Sequence, residues 1–421
     1  MRVFKFGGAS VSNEKAIRNM ASILRKFQNI PLLVVVSAMG KTTNHLEKIL
    51  GLSADKDGCK REIELLKKYH LETAKGLFSE ISNELQLSLD KIFNEIENDT
   101  TLDLPYPELY DRIISQGEIL SSTIIASYLQ EEGLPVQWLD AREYVITDAH
   151  FREGHVDWSV TCGRINKLKE TLNATILLTQ GFIGRSTDQR VTTLGREGSD
   201  YTAAIFASCL NAESVTVWKD VEGIMNGDPK KIEGTQRYKE LPYREAAEMT
   251  YYGASVIHPK TIKPLANKGI PLMVKSFYEP DAPGTVIHEC QAENLIPAVI
   301  IKENQCLISF HVRDFTFINE RNLTKIFHEI SEADLKINLM QNSAISFSIC
   351  VDFHTGHLDE IMSRLQSDFS IRYNTGLELI TIKNYTQEYI DRFRSGKHML
   401  LEQISRNNYR AVIKPDQPSN E

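Results

Sequence analysis

Apolar positions along this chain follow two alternating rhythms. Val3, Phe4 and Phe6 make a short apolar run of strand length, and so does the segment 31–37, PLLVVVS. Between them Ile17, Met20, Leu24 and Phe27 recur at the spacing of one helix face. Residues 45 to about 100, rich in Leu, Lys and Glu, predict helix. Leu104-Pro105-Tyr106-Pro107 breaks that run, and helix resumes around Tyr110. Further strands are predicted at 136–139, 174–179 and 214–217, with helices between them, notably 200–210. Strands apolar on both faces that alternate with helices predict a mostly parallel sheet covered on both sides. Glycine-rich turns at the strand ends put a ligand at the carboxyl edge of such a sheet.

The pattern shifts near residue 290. The turn-rich segment Pro280-Asp281-Ala282-Pro283-Gly284-Thr285 reads as the exit from a first domain. Beyond it the periodicity predicts strand 306–312, helix 322–332, strands 337–341 and 345–352, helix 358–365 and strand 377–382. That order, β-α-β-β-α-β, is the ferredoxin-like plan. The tail repeats only its start, as a helix over 387–406 and a short strand over 410–414. Residues 416–421 are polar, contain proline and read as disordered. The predicted class is α/β: a mostly parallel sheet sandwiched by helices over 1–290, then a ferredoxin-like region over 297–421 with one full module and a shortened second.

Composition narrows the function. A chain of 421 residues is long for one core, so two or three domains are expected. The formal charge of −8 lacks the basic excess of a nucleic-acid surface. No apolar run approaches the roughly 18 residues of a membrane span. The chain opens on a strand, not on a charged segment and a long apolar one, so no secretory signal and a cytoplasmic location are expected. Six cysteines (59, 162, 209, 290, 306 and 350) form no CxxC pair and read as reduced, mostly structural thiols.

The candidate chemistry starts at Lys5-Phe6-Gly7-Gly8-Ala9-Ser10-Val11. A strand, a glycine turn and a helix capped by Ser12 and Asn13 make an anion site, since free N–H groups and the helix dipole point at it. Lys5 adds a full charge there. Four constellations join it: the hydroxyl-bearing loop Ser37 to Asn44, Gly117-Glu118, the run Thr193 to Asp200, and Trp218 to Gly223 leading to Gly227-Asp228-Pro229-Lys230-Lys231. Each has a plainer reading alone: Asp200 or Ser199 as an N-cap, Arg196 as a solvated cation, Glu118 paired with a lysine, Gly227-Asp228-Pro229 as a turn. Their succession along one sheet favours a common site.

These motifs resemble aspartokinases. Lys-Phe-Gly-Gly-x-Ser-Val, Ser-Gln-Gly-Glu, Leu-Gly-Arg-x-Gly-Ser-Asp-Tyr-Thr-Ala-Ala, Lys-Asp-Val-x-Gly-Ile and Tyr-Gly-Ala-x-Val-Ile-His-Pro occur in that family's order over residues 1 to about 290. The remainder resembles the family's ACT region, a ferredoxin-like amino-acid sensor. The resemblance implies an amino-acid-kinase fold and phosphorylation of the side-chain carboxylate of L-aspartate by MgATP, towards lysine, threonine and methionine. Phosphoryl transfer needs charge neutralisation and alignment more than covalent chemistry. Lys5 then contacts the γ-phosphoryl, helped by the N–H groups of Gly7 and Gly8 and by Ser37, and Asp200 holds Lys5. Arg196 suits the α-carboxylate because a guanidinium grips both oxygens. Glu118 suits the α-ammonium, and Thr43 and Ser199 complete the pocket. By resemblance Lys219, Asp220, Met225 and Lys230 line the nucleotide side. A carboxylate with a pKa of about 3.9 is already ionised, so no general base and no resident metal are expected, with Mg²⁺ riding on the nucleotide.

Three positions depart from the family pattern: Ser255 where a lysine is common, Met225 where tyrosine is common, and Lys230 where arginine is common. Lys219, Lys230, Lys231 and Lys260 are candidates to replace the missing charge. In the ACT-like region Asn319-Glu320-Arg321-Asn322 replaces a glycine-containing loop, and Asn338 stands at an acid position. Weak or absent lysine inhibition is therefore expected, as is a homodimer through this region. Two alternatives stand beside the main reading. One is a related kinase acting on glutamate, N-acetylglutamate, carbamate or UMP. The other is a non-catalytic amino-acid-binding regulator, which Ser255 favours.

Overall fold

A computed structural model describes residues 1–170, 175–254, 257–291, 295–313 and 316–415. They form two compact units. The first comprises Met1–Ile224, Arg237–Ala247 and the described residues up to 291; the second comprises Met225–Gln236, Glu248–Ala254 and the described residues from 295 onwards. Among the described residues no helix is long and apolar enough to cross a membrane. The predicted strand start at 174, Ser255 and the 416–421 tail lie outside the described residues.

The first unit begins with β1 (Arg2–Phe6), α1 (Glu14–Arg25), β2 (Leu32–Val36), α2 (Thr42–Gly51), α3 (Lys56–Leu77), α4 (Asn83–Asp99), α5 (Tyr106–Glu131) and β3 (Val136–Leu139). It continues with β4 (Ile146–Thr147), α6 (Trp158–Ile165), β5 (Ile176–Gln180), β6 (Ile183–Ser186), β7 (Val191–Thr193), α7 (Gly198–Leu210) and β8 (Ser214–Lys219). Then come β9 (Glu240–Pro242), α8 (Tyr243–Tyr251, of which Tyr243–Ala247 count in this unit), α9 (Pro259–Ala266), β10 (Leu272–Ser276) and β11 (Thr285–His288). Eight strands form one sheet in the order β3-β5-β2-β1-β8-β10-β11-β9. Neighbours are parallel except β10 and β11. β2, with sequence LLVVV, is buried throughout, as a strand covered on both faces must be.

Local chemistry explains where the helices begin and end. Asn13 caps α1, its Oδ1 accepting from Ala16 N at 3.0 Å, whereas Ser12 Oγ donates to Ala9 O. The predicted helical stretch of 45–100 is three helices, because Asp55 and Ser82 cap fresh starts at α3 and α4. α5 begins at Tyr106 and not near Tyr110: Pro107 occupies its first turn, where a missing N–H costs nothing. The 280–285 segment is not an exit. It turns the chain between β10 and antiparallel β11, which pair Leu272 with Ile287 and Val274 with Thr285. Turn residues look alike in a hairpin and in a linker, so only the pairing distinguishes them.

Cys162 and Cys209 are disulfide-bonded, joining α6 to α7 across a sequence separation of 47. This corrects the expectation of reduced thiols; Cys59, Cys306 and Cys350 are free and buried, and Cys290 is free and half-buried. Spacing alone did not reveal the pair, because packing of two helices brings it together.

The second unit is built on β12 (Ala298–Val312), α10 (Glu320–Glu332), β13 (Ile337–Asn342), β14 (Ser346–Asp352), α11 (Thr355–Leu365), β15 (Phe369–Lys383), α12 (Gln387–Arg394), β16 (His398–Ile404) and β17 (Asn408–Lys414). Its antiparallel sheet runs β13-β14-β12-β15-β17-β16. Register shifts between Lys302 and Leu307 divide the long β12 into two halves. The later half joins β13, β14, β15, α10 and α11 in a complete ferredoxin-like module. The earlier half pairs Ala298–Lys302 with Leu379–Lys383 and so completes a second set of four strands with β16 and β17.

That second set corrects the expected tail helix of 387–406. α12 stops at Arg394; Gly396 follows in the left-handed region (φ 74), and the chain returns as β16. Among the described residues the repeat lacks one helix, not its strands. Asn319 and Asn322 cap each other's backbone at the start of α10. Asn338 is buried, accepting from Lys302 Nζ at 2.9 Å and donating to Gln305 Oε1 at 2.8 Å.

Candidate active site

Strand register brings the first cation into place. Lys5 lies between Val35 of β2 and Val217 of β8 in a sheet that is otherwise apolar here. Its ammonium is drawn from that environment by Asp200 in the first turn of α7: Lys5 Nζ to Asp200 Oδ1 is 2.6 Å, with both side chains buried. Lys219, at the end of β8, lies 4.0 Å from the other oxygen, Asp200 Oδ2. One buried carboxylate thus faces two ammonium groups. Burial alone would raise the Asp200 pKa, but the charges of Lys5 and Lys219 outweigh it and hold the group below the usual carboxylate range.

Asp200 is free to do this because it is not a cap. The N-cap of α7 is Glu197, held at φ 53, so Ser199 and Asp200 fall inside the first turn, contrary to the expectation of either as a cap. Ser199 is buried there.

The turn after β1 is locked to the turn after β2. Ser37 N donates to Phe6 O at 3.1 Å and Gly40 N to Gly8 O at 3.0 Å. A Cβ on Gly8 would lie 2.8 Å from Ala38 O, so the approach excludes any side chain there. A Cβ on Gly7 would lie 3.5 Å from Lys5 Nζ, which shows the ammonium folded over this turn. Ser37 O accepts from Ser121 Oγ of α5 at 2.7 Å.

One turn earlier on α5, Glu118 is 4% exposed. Burial pushes its pKa up to about 8, although the Ala38 N–H and the Lys5 charge favour the ionised form. Its Oε2 has no hydrogen-bond partner among the described residues. No lysine pairs with it at salt-bridge distance among those residues, so the plainer reading of Glu118 fails. A buried acid with an unmet acceptor suits a cationic ligand group.

Thr43 is half-buried in the first turn of α2. Its neighbour Thr42 anchors that turn through Oγ1 to His70 Nε2 at 3.3 Å, while His70 Nδ1 bonds Leu66 O at 2.9 Å. Burial lowers the His70 pKa to about 4, so this histidine is a neutral strut.

Arg196 is exposed on the loop between β7 and α7. Asp111 fastens that loop. This fully buried residue of α5 accepts from Thr193 N at 2.9 Å, Thr193 Oγ1 at 2.7 Å and Arg152 N at 2.9 Å. Burial raises its pKa against these hydrogen bonds. Asp111 was not among the residues expected at the site. Its signal was an acid two helical turns before Glu118, on the same face and beside Ile113 and Ile114.

The remaining expected residues divide between the units. Asp220 is exposed directly after Lys219. Met225 and Lys230 belong to the second unit, where Met225 is half-buried and Lys230 is exposed in a turn closed by its N–H on Asp228 Oδ1. Among the candidate replacements for the lysine absent at 255, Lys231 pairs with Glu303 at 2.6 Å and Lys260 pairs with Glu153. Lys219 adjoins the Lys5–Asp200 pair.

Comparison with known proteins agrees with this geometry. A model of the amino acid kinase family matches residues 1–276. Lysine-sensitive aspartokinase 3 of Escherichia coli is 30% identical over 358 residues, 83% of this chain and 78% of that protein. The bifunctional aspartokinase/homoserine dehydrogenase of Buchnera aphidicola is 28% identical over 394 residues; this chain spans 90% of itself but only 47% of that relative in the match. The crystal structure of Escherichia coli aspartokinase III in complex with aspartate and ADP superposes with a TM-score of 0.82 at 26% identity, covering 98% of this chain and 96% of that one. With the family model, overall sequence and overall fold in agreement, the chain belongs to the amino acid kinase family, in its aspartokinase branch.

Proposed function

We propose that this protein transfers the γ-phosphoryl group of ATP to the side-chain carboxylate of L-aspartate, yielding 4-phospho-L-aspartate and ADP. The Lys5–Asp200–Lys219 cluster at the carboxyl ends of β1 and β8, with Lys5 and Asp200 buried, carries this reading. A transferring phosphoryl group spreads charge over its oxygens, and preorganised cations and N–H groups stabilise it. Lys5 supplies that charge, fixed in direction by Asp200, and Lys219 supplies a second. Gly7, Gly8 and Ser37 line the phosphate turn. The substrate carboxylate oxygen attacks the γ-phosphorus as the bond to the β–γ bridging oxygen breaks. No proton needs to move, which agrees with His70 serving only as a strut. Mg²⁺ enters with the nucleotide, on its phosphates.

Arg196 receives the α-carboxylate of aspartate and Glu118 its α-ammonium, with Thr43 and Ser199 on the pocket wall. Asp220, Met225 and Lys230 serve the nucleotide. Two copies associate through the ACT-like sheet.

Hydroxylamine trapping tests the activity. Aspartate with MgATP should yield aspartyl hydroxamate, glutamate should yield little, and Lys5→Met should abolish the signal while keeping a native thermal melt. A glutamate preference would replace aspartate as substrate, and no hydroxamate with either would leave a non-catalytic binding protein.

A further inference from the structure

We propose that Glu240, His288 and Cys290 form a binding site for a transition-metal cation of the zinc type at the far edge of the eight-stranded sheet. Glu240 opens the edge strand β9, and His288 closes its neighbour β11. Parallel pairing of Val286 with Glu240 and of His288 with Pro242 places the two side chains together. Glu240 Oε2 lies 3.0 Å from His288 Nε2. Cys290 follows His288 by two residues, past the end of β11 and across a bend at Glu289. One ligand atom from each of the three residues lies within 4.8 Å of the other two.

These distances are close to those a metal imposes. Zinc bonds of about 2.0–2.3 Å to oxygen, nitrogen and sulfur in tetrahedral geometry separate the ligand atoms by about 3.3–3.6 Å. The nitrogen and oxygen need to part by a few tenths of an ångström, and the sulfur, within 4.8 Å of both, needs to swing in by no more than about 1.2–1.5 Å. Glu240 is exposed, and His288 and Cys290 are only half-buried, so rotation about side-chain bonds suffices. The backbone beneath is already set by the ladder.

The donor set selects the cation. A thiol and an imidazole suit zinc or cobalt and disfavour magnesium and calcium, which take oxygen ligands. Three protein ligands leave one position for water. The site is separate from the phosphate cluster: Lys5 and Lys219 lie on β1 and β8, whereas β11 and β9 end the sheet. Bound metal would clasp a three-residue edge strand to its neighbour.

The full chain, purified with its free thiols reduced and free of metal, should bind one tight equivalent of Zn²⁺ in competition with a chromophoric chelator. Cys290→Ser and His288→Asn should each weaken this binding at least tenfold, by analogy with the roughly 10–100-fold cost of disturbing even outer-shell partners. Both variants should melt as the wild type does without metal. Zn²⁺ should raise the melting temperature of the wild type only. Co²⁺ should give a thiolate charge-transfer band that vanishes in Cys290→Ser. Absence of a tight equivalent in the wild type, or retention of affinity and of the Co²⁺ band in Cys290→Ser, would overturn the assignment.

Discussion

Glu118 offers the sharpest test of the substrate pocket. Its carboxyl is 4% exposed, and burial moves its pKa from 4.5 to about 8. At pH 7 the free protein therefore holds Glu118 about nine-tenths protonated, and ionising it costs about 1.4 kcal/mol, one pKa unit. An ammonium group needs the carboxylate, so aspartate must bear that cost and expel the proton. The apparent affinity for aspartate should rise about tenfold from pH 7 to pH 9, with close to unit slope below pH 8. Binding at pH 7 should release close to one proton, read by calorimetry in buffers of different ionisation enthalpy.

The same group affects stability with a definite sign. Its folded pKa lies above its unfolded one, so the folded state binds the proton more tightly. Stability attributable to Glu118 falls as pH rises from 4.5 through about 8. The ceiling on that loss is roughly 5 kcal/mol at 1.36 kcal/mol per unit. Glu118→Gln should remove both effects, with weaker but pH-independent aspartate binding and a gain in melting temperature over wild type at pH 9. A wild-type affinity that stays flat from pH 6.5 to 8.5, or a Gln variant with the wild-type slope, would refute the role of a buried proton here.

Other perturbations probe the frame around the site. Asp200→Asn should destabilise the fold by about 3 kcal/mol at pH 7, because it strands the buried Lys5 ammonium. Its depressed pKa makes that contribution complete above pH 3.8 and lost as pH falls through the lower folded value, so wild-type and variant melts should converge in acid. Asp111→Ala should cost about 1–3 kcal/mol for the unpaired N–H groups of Thr193 and Arg152. It should also raise the KM for aspartate more than it lowers kcat, since it frees the Arg196 loop. Equal kinetics would show that the loop holds without it. Cys162→Ser opens a 47-residue loop, which chain entropy values at about 4 kcal/mol. The wild type should lose the same stability in reductant, and an unchanged wild-type melt with reductant would deny the cross-link.

Much of this molecule was readable along the chain because its signals are local. Apolar runs such as 32–36 mark buried strands whatever they pair with. Asn13 and Pro107 act within a single helical turn. The order of the phosphate-turn, Gly-Glu and Gly-Arg-x-Gly-Ser-Asp motifs carried the family. Local signals also misled where two outcomes share one pattern. The 280–285 turn serves a hairpin, and 398–404 extends as a strand once Gly396 stops α12.

The rest depended on contacts between residues far apart in the chain. Lys5, Asp200 and Lys219 meet only because parallel pairing sets β8 beside β1 and α7 packs its first turn over their ends. Asp111 acquires its partners because β7 returns to α5, and Cys162 meets Cys209 because α6 lies against α7. Side-chain type and spacing thus determined which elements form and which chemistry is present. Register and packing decided which charges share a carboxylate, because ion pairs and hydrogen bonds act over a few ångströms and the chain alone does not specify those distances.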